Sequence, residues 1–290
     1  MRRLEMQHPL TIVTILAAIG GISAVCMDPV LLSVSLIGGV LFYAVRHQGG
    51  RVAVYLTSAA LFAVLALLNP LFSHNGKTVL FVVNNAPVTL EALLYGMVAA
   101  CMIVAVLYWF RSLSELMTSD KWIALLSVIS SKLALVLSLS LRYIPLFGQQ
   151  IKRVRQAQKA VGLYKDENIM DRLRGGLRIM STMITWVLEN GIITADSMEA
   201  RGYGSGRRTT YTVVRFRRSD ALLLLLTALL TAATLAGLYG AGTVYYPSFS
   251  FAAWTPWRAA GYAAFCLLAL LPTILEWTEA IKWRYWRSKI

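Results

Sequence analysis

The chain has 290 residues, of which 57% are hydrophobic and 14% charged. Its mean hydropathy of +0.61 is higher than a water-soluble domain of this length needs to fill a core, so we expect a lipid bilayer as its main solvent. The net charge is +14, and residues 146–218 alone carry fourteen Lys and Arg against six Asp and Glu. The three cysteines, Cys26, Cys101 and Cys266, are too far apart for a metal motif or a disulfide framework.

A spanning helix needs about 20 mostly apolar residues. Six segments come near that length, and we expect each to cross the membrane: Leu10–Cys26, Val30–Val45, Val52–Leu68, Leu90–Phe110, Ala221–Tyr239 and Ala259–Leu275. Basic residues in short loops predict the cytoplasmic side. Arg2, Arg3, Arg46, Arg51 and Arg111 therefore place the N-terminus and the loop between the second and third spans in the cytoplasm. The basic region that follows the fourth span belongs on the same side.

The segment Trp122–Ile144 is long enough to span, but it contains Lys132, Arg142 and five serines. A crossing here would also put the basic region outside the cell. We therefore expect one mostly apolar helix that lies at the cytoplasmic boundary or packs against the spans. Because proline lacks a backbone N–H, Pro145 should end this helix.

Two amphipathic helices should follow, because apolar residues recur at spacings of three or four. The first stripe contains Phe147, Ile151, Val154, Ala157 and Val161; the second contains Ile169, Leu173, Leu177, Met180, Ile184, Val187, Leu188 and Gly191. Each helix is expected to close on a glycine, Gly162 and Gly202 respectively, since the residue after the last turn often takes a positive φ.

Motifs of enzymes are weak in this sequence. Gly76-Lys77-Thr78 has the last letters of a phosphate-binding loop, but Leu71 stands where that motif needs glycine. The glycine-rich stretch from Gly202 to Gly206 follows a helix, whereas a dinucleotide fingerprint follows a strand. No ionisable residue lies in the middle of a predicted span, which disfavours a secondary transporter. We expect no catalytic residue, no cofactor and no bound metal.

The segment Ala195-Asp196-Ser197-Met198-Glu199-Ala200-Arg201-Gly202-Tyr203 is the most distinctive in the chain. With it, the chain resembles the transmembrane T component (EcfT/CbiQ-like) of energy-coupling-factor transporters, a family recognised by two Ala-Arg-Gly or Ala-Arg-Ser motifs at the ends of cytoplasmic coupling helices. Leu141–Pro145, Ala157–Gly162 and the His8-Pro9-Leu10 opening are also similar to that family. The resemblance extends to about Asp220.

The resemblance implies that each motif docks in a groove of one ATPase subunit. The implied contact residues are Ala200, Arg201 and Gly202 at one end and Ala160, Val161 and Gly162 at the other, supported by Glu199, Lys159, Arg207 and Arg208. A guanidinium suits the negative end of a helix and can bind a carboxylate in two places. Val161 stands where the family has Arg and cannot form an ion pair. We hypothesise that packing by Val161, with charge from Lys159 or Lys165, replaces that contact.

We therefore predict an all-α membrane protein with about six transmembrane helices and a cytoplasmic region of amphipathic coupling helices. Residues 1–111 should form a four-span domain, 112–218 the cytoplasmic coupling domain, and 219–290 a two-span segment with a basic tail. The implied partners are two ABC ATPase subunits, a substrate-binding membrane subunit and the bilayer, with no nucleic acid, for uptake of a vitamin or metal ion. A dedicated cobalt or nickel permease component stays open as an alternative, as does a scaffold whose basic region binds RNA or lipid.

Overall fold

The computed structural model describes residues 7–47, 52–73, 76–83, 86–162, 169–206, 216–239, 243, 245–246, 249–250 and 254–287. These residues form nine helices and one small hairpin. The chain divides into two compact units, described separately below. Unit 1 comprises Met1–Trp122 and Val214–Ile290, and unit 2 comprises Ile123–Val213. The all-α architecture predicted from composition is confirmed.

The helices, in chain order, are α1 (Pro9–Val25), α2 (Pro29–His47), α3 (Val52–Phe72), α4 (Leu90–Leu116), α5 (Ser119–Ile129), α6 (Ser131–Ala160), α7 (Ile169–Ala200), α8 (Arg218–Leu238) and α9 (Pro256–Arg287). Between α3 and α4, β1 (Val79–Val83) pairs antiparallel with β2 (Ala86–Thr89). The sequence did not predict this hairpin, because a short apolar run such as Phe81, Val82 and Val83 is equally compatible with a loop.

All six predicted spans are helices in the structure. Five of them, α2, α3, α4, α8 and the Pro256–Thr278 part of α9, are long and apolar enough to cross a membrane; α1 has 17 residues and is slightly short. By length and composition α6 also qualifies, although it is the least apolar of the set. That α6 stays on one side of the bilayer therefore remains a prediction.

The predicted helix over Trp122–Ile144 is wrong in two respects. A break at Ser130 separates α5 from α6, because Ser130 takes an extended conformation and its hydroxyl accepts a hydrogen bond from the Leu133 N–H at 3.5 Å. This is the usual work of a helix N-cap. Pro145 does not end the helix: it lies inside α6, which continues to Ala160. Proline inside a helix removes one backbone hydrogen bond, and the other turns of α6 outweigh that loss.

The core of unit 1 forms where small residues let helices approach closely. A Cβ added at Gly39 would lie 3.1 Å from the Tyr108 Cβ, and one at Gly38 would lie 3.2 Å from the Ala269 Cβ. Close approach of this kind holds spans together in lipid, where no hydrophobic force acts between helices. Gly38 and Gly39 therefore let α2 approach both α9 and α4 closely.

A buried hydrogen-bond chain also joins three of these helices. The Trp109 indole N–H donates to the Ser35 hydroxyl at 3.1 Å, and the hydroxyls of Ser35 and Ser23 lie 2.6 Å apart. All three side chains are fully buried. Since hydrocarbon supplies no hydrogen-bond partner, these contacts satisfy polar groups inside the bundle and specify how α1, α2 and α4 align.

Polar contacts mark the two ends of the bundle in unit 1. At one end the start of α1 meets the start of α8, where the His8 N–H donates to the Asp220 carboxylate at 3.4 Å. At the opposite end the loop after α1 is held by Tyr262, whose hydroxyl donates to Asp28 at 2.5 Å, and by Tyr245, which donates to the Met27 carbonyl at 2.7 Å. Helix α8 therefore runs in the same direction as α1, and α9 runs in the opposite direction.

Candidate functional site

The first candidate site is the C-terminal end of α6 in unit 2. The helix ends at Ala160, and the Val161 N–H still donates to the Ala157 carbonyl at 3.1 Å. Gly162 follows with φ of 73°, and its N–H donates to the Lys159 carbonyl at 3.0 Å. A side chain at such a φ is strained, which explains the glycine. The predicted closure on Gly162 is confirmed.

The second candidate site is the end of α7, and it has the same construction. Gly202 has φ of 80° and donates its N–H to the Glu199 carbonyl at 2.8 Å, while Tyr203 donates to the Met198 carbonyl at 2.9 Å. These two bonds define a Schellman cap. Arg201 is the last residue before the turn, so it occupies the position that Val161 occupies on α6.

Both ends face away from the rest of unit 2. Val161 is 73% exposed, and Arg201 is also exposed, as are the neighbouring Lys159 and Glu199. Exposure leaves Val161 and Arg201 free to contact another protein. The supporting residues Arg207 and Arg208, and also Lys165, lie outside the described residues.

The two ends point in opposite directions. The hydroxyls of Tyr143 on α6 and Thr194 on α7 lie 2.7 Å apart, and the rings of Phe147 and Trp186 meet edge to face at 5.9 Å. Moving forward along α6 therefore means moving backward along α7, so the helices cross in an antiparallel sense. At a rise of about 1.5 Å per residue, Val161 lies roughly 24 Å beyond this crossing on one side and Arg201 roughly 16 Å beyond it on the other.

An apolar surface covers much of α7. Gly175, Ile179 and Met183, four residues apart, form its buried face. The predicted stripe lies elsewhere on the helix, and most of it is exposed: Leu173, Leu177, Met180, Ile184 and Leu188 are each between 52% and 64% exposed. We call these five residues the α7 stripe. Sequence periodicity identified an apolar stripe correctly but could not show that the chain itself leaves it uncovered.

The sequence resembling a phosphate-binding loop holds a carboxylate of the chain itself. The Thr78 hydroxyl donates to Glu91 at 2.8 Å, and the Thr78 N–H contacts both carboxylate oxygens at 3.3 and 3.4 Å. Glu91 is 4% exposed. The donors of this segment are thus used to tie the hairpin to the start of α4. After Gly202, the Ser205 N–H donates back to the Gly202 carbonyl at 3.1 Å, which confirms the glycine-rich stretch as a turn that follows the helix.

A group of charged residues at one end of unit 1 was missed by sequence reasoning. Arg46 Nη1 lies 3.0 Å from Glu276 Oε1 and its Nε lies 3.5 Å from Glu115 Oε2. Glu115 also lies 3.2 Å from His47 Nε2 and 3.8 Å from Arg111 Nε. We call these five residues the span-end charge cluster. The cluster brings together the ends of α2 and α4 and the late part of α9. Its members lie up to 230 residues apart in sequence, so no local pattern in the sequence indicates it.

Both helix ends lie within a stretch of the chain that matches a known protein family. The family model described as CbiQ, cobalt transport protein, matches residues 1–212, which include both helix ends and stop before α8. The chain belongs to the CbiQ family. It is a transmembrane component of an energy-coupling-factor transporter and a multi-pass membrane protein, as the resemblance implied.

Several curated proteins that are similar to this chain are named EcfT. An energy-coupling factor transporter transmembrane protein EcfT from Listeria innocua is 29% identical over 181 residues, which are 58% of this chain and 68% of the relative. The EcfT of Bacillus selenitireducens is 27% identical over 231 residues, or 74% of this chain and 85% of the relative. That of Streptococcus thermophilus is 35% identical over 104 residues, and this alignment covers only 35% of the chain and 39% of the relative.

Proposed function

We propose that this CbiQ-family chain is the non-catalytic coupling subunit of its transporter. The end of α6 and the end of α7 each dock on one ABC ATPase subunit, and the chain transmits the ATP-driven movement of that pair to a substrate-binding membrane subunit. The N-terminus and unit 2 then lie in the cytoplasm, in agreement with the basic residues in the short loops.

The observation that carries this proposal is the matched construction of the two helix ends. Both ends have the order alanine, variable residue, positive-φ glycine, both are exposed, and they lie on opposite sides of the α6–α7 crossing. A single binding site would need the two ends close together. Two ends on opposite sides of the crossing fit two separate docking sites, one on each ATPase subunit.

The two docking contacts differ chemically. Arg201 brings a planar, permanently charged fork to the negative end of a helix dipole, which suits a carboxylate on the partner. Val161 offers only apolar surface, so its partner groove should be apolar at that point. We therefore propose an asymmetric grip, with a charged contact at α7 and a packing contact at α6.

The substrate-binding membrane subunit is proposed to cover the α7 stripe. These five exposed apolar side chains form a continuous face over about 15 residues, and contiguous apolar surfaces often mark a contact with another protein or with a membrane. A second membrane protein could bury that face without any charged contact. Movement of α7 by an ATPase at Arg201 would then reach the partner through one rigid helix.

The transported substrate is proposed to be a vitamin or a metal ion bound by that partner. The family description names cobalt transport, whereas the names of the EcfT relatives include no substrate. A shared vitamin transporter and a dedicated cobalt or nickel transporter therefore differ in the partner, which co-purification can identify.

The decisive experiment compares matched pairs of variants of the full chain. We would purify the tagged chain in mild detergent, identify the ABC ATPase chains that accompany it, and measure their affinity after reconstitution. Arg201→Ala is compared with Arg174→Ala, which removes an exposed arginine from the same helix. Val161→Ala is compared with Val136→Ala, which trims a valine that is 60% exposed on α6.

We expect Arg201→Ala to weaken ATPase binding on the order of 30-fold or more, because it breaks a charge pair that binding buries. Val161→Ala should weaken it by about 15-fold at most, because two fully buried carbons contribute about 0.8 kcal/mol each. The two control variants should bind like the wild type. Equal losses at Val161 and Arg201 would contradict the asymmetric grip, and recovery of no ATPase with the wild type would contradict the function itself.

A further inference from the structure

Helices α3 and α4 of unit 1 enclose an open groove with a volume of about 360 Å³. Two hydrogen bonds show that these helices are antiparallel: Asn69 donates to the Ala92 carbonyl at 2.8 Å, and the hydroxyls of Ser58 and Tyr108 lie 2.6 Å apart. Ser58 and Tyr108 both line the groove, so their contact shows which residues of α3 and α4 lie at the same height along the two helices. The groove therefore has a defined inner end and a defined outer end.

The two ends of the groove differ in polarity. From the level of Ser58 and Tyr108 inward, toward the middle of the span, the walls are apolar and include Leu61 and Val104. Outward, toward the end of α4, the apolar Val54 and Phe110 also line the groove, but this end contains its polar side chains, Thr57, Arg111 and Ser114. From Val104 to Ser114 the helix rises about 15 Å. The predicted span ends at Phe110, so the inner part of the groove lies within the span and Arg111 and Ser114 lie just beyond its end.

Arg111 supplies positive charge at the outer end. Its side chain is 44% exposed, and its guanidinium lies over the Tyr43 ring at 5.4 Å from the centroid. Its ion pair with Glu115 is long, 3.8 Å, and the same carboxylate lies closer to Arg46 and to His47. Much of the field of Arg111 is therefore available to an anion at the groove. A guanidinium binds phosphate oxygens as readily as carboxylate oxygens.

The size of the groove narrows the choice of occupant. A helix with side chains is about 10 Å wide, so 15 Å of helix fills roughly 1,200 Å³. That volume exceeds the roughly 790 Å³ of empty space in the groove and its open mouth. A single extended hydrocarbon chain is far thinner. A molecule with one charged phosphate at the end of the span and one apolar chain extending into the span matches the length and polarity of the groove.

We propose that this groove binds one anionic phospholipid, with its phosphate at Arg111 and one acyl chain lying between α3 and α4 along Leu61 and Val104. The lipid would fill the space beside α3, whose buried residues are limited to Ala66 and Pro70. It would thereby stabilise the attachment of α3 to the rest of unit 1.

Native mass spectrometry of the full chain, released from nanodiscs that contain equal amounts of phosphatidylglycerol and phosphatidylcholine with identical acyl chains, tests the proposal. We expect the wild type to retain phosphatidylglycerol about tenfold more than phosphatidylcholine, as one charged hydrogen-bonded contact allows. Arg111→Gln should abolish that preference. Leu61→Trp, which fills the groove, should lose retention of both lipids.

The matched control is Leu67→Trp, the same substitution on the same helix at a position that is 61% exposed and does not line the groove. It should retain lipid like the wild type. If Leu61→Trp lowers the yield of folded protein, Leu107→Trp fills the groove from α4 instead. An unchanged preference in Arg111→Gln would overturn the headgroup assignment. Equal retention by Leu61→Trp and Leu67→Trp would overturn the acyl-chain assignment, and loss of the lipid when partner subunits bind would make the groove a subunit contact.

Discussion

Gly237 of α8 faces Gly261 of α9 with no room for a side chain. A Cβ added at Gly237 would lie 2.7 Å from the Gly261 Cα and 3.0 Å from both the Gly261 nitrogen and the Trp257 oxygen. Carbon atoms in contact prefer about 3.5 to 4.0 Å, so Gly237→Ala must move the helices apart by about 1 Å. All three atoms are backbone, so a change of rotamer cannot relieve the clash.

The net cost follows from two opposing terms. Overpacking at a rigid contact costs about 1 to 3 kcal/mol, whereas replacing glycine by alanine inside a helix contributes up to about 1 kcal/mol of stability. We therefore expect Gly237→Ala to destabilise unit 1 by about 1 to 2 kcal/mol. Gly21→Ala is the matched control, because its added Cβ meets no atom within 4 Å and α1 should gain stability.

Thermal unfolding in detergent measures the difference. Cys26, Cys101 and Cys266 are partly buried free thiols, so a dye that fluoresces on reaction with thiols reports their exposure as the fold opens. For a chain of this size about 2 to 3 kcal/mol between the variants corresponds to roughly 5 to 10 °C in Tm. Gly261→Ala, whose Cβ would lie 3.0 Å from the Gly237 Cα, should melt between them. A Tm for Gly237→Ala at or above that of Gly21→Ala would refute the reasoning.

Two further predictions concern the span-end charge cluster and the end of α7. Arg46→Met should destabilise unit 1 by about 3 to 5 kcal/mol in the same melting assay, because it removes the arginine 3.0 Å from the 4%-exposed Glu276. Combining it with Glu276→Leu should restore most of that loss; a double variant no more stable than the single one would count against this pairing. Gly202→Ala, at φ of 80°, should strain the helix end by about 1 to 2 kcal/mol and weaken ATPase binding through a displaced Arg201. Gly176→Ala, with open space and a helical φ, should bind normally, and equal binding by both variants would contradict the expectation.

Several parts of the fold could be predicted because their signals are local. Long apolar runs define the spans, and a glycine after an amphipathic stretch predicts a helix end with positive φ, as at Gly162 and Gly202. The helix ends could also be assigned to a family, since Ala200, Arg201 and Gly202 are adjacent in sequence. Orientation relative to the cytoplasm, and the docking roles of both helix ends, remain predictions.

The errors lie where two local signals compete. Pro145 was expected to end a helix, but the hydrogen bonds on either side keep α6 continuous through it. Ser130 was counted among polar residues that disfavour a span, although a serine before an apolar run is also an N-cap. The same residue type is compatible with either local structure, and the packing of the whole segment determines which one forms.

The sequence by itself determined that this chain is a membrane protein and that its basic region contains amphipathic helices. It also determined that these helices end at Val161–Gly162 and Arg201–Gly202. Only the tertiary structure showed that the two ends point in opposite directions, that Arg46 meets Glu276, and that α3 and α4 leave a groove beside Arg111. The physical reason is range. Hydrophobicity, capping and glycine φ act over a few residues, whereas ion pairs and grooves form between residues up to 230 positions apart, whose proximity depends on how the helices pack.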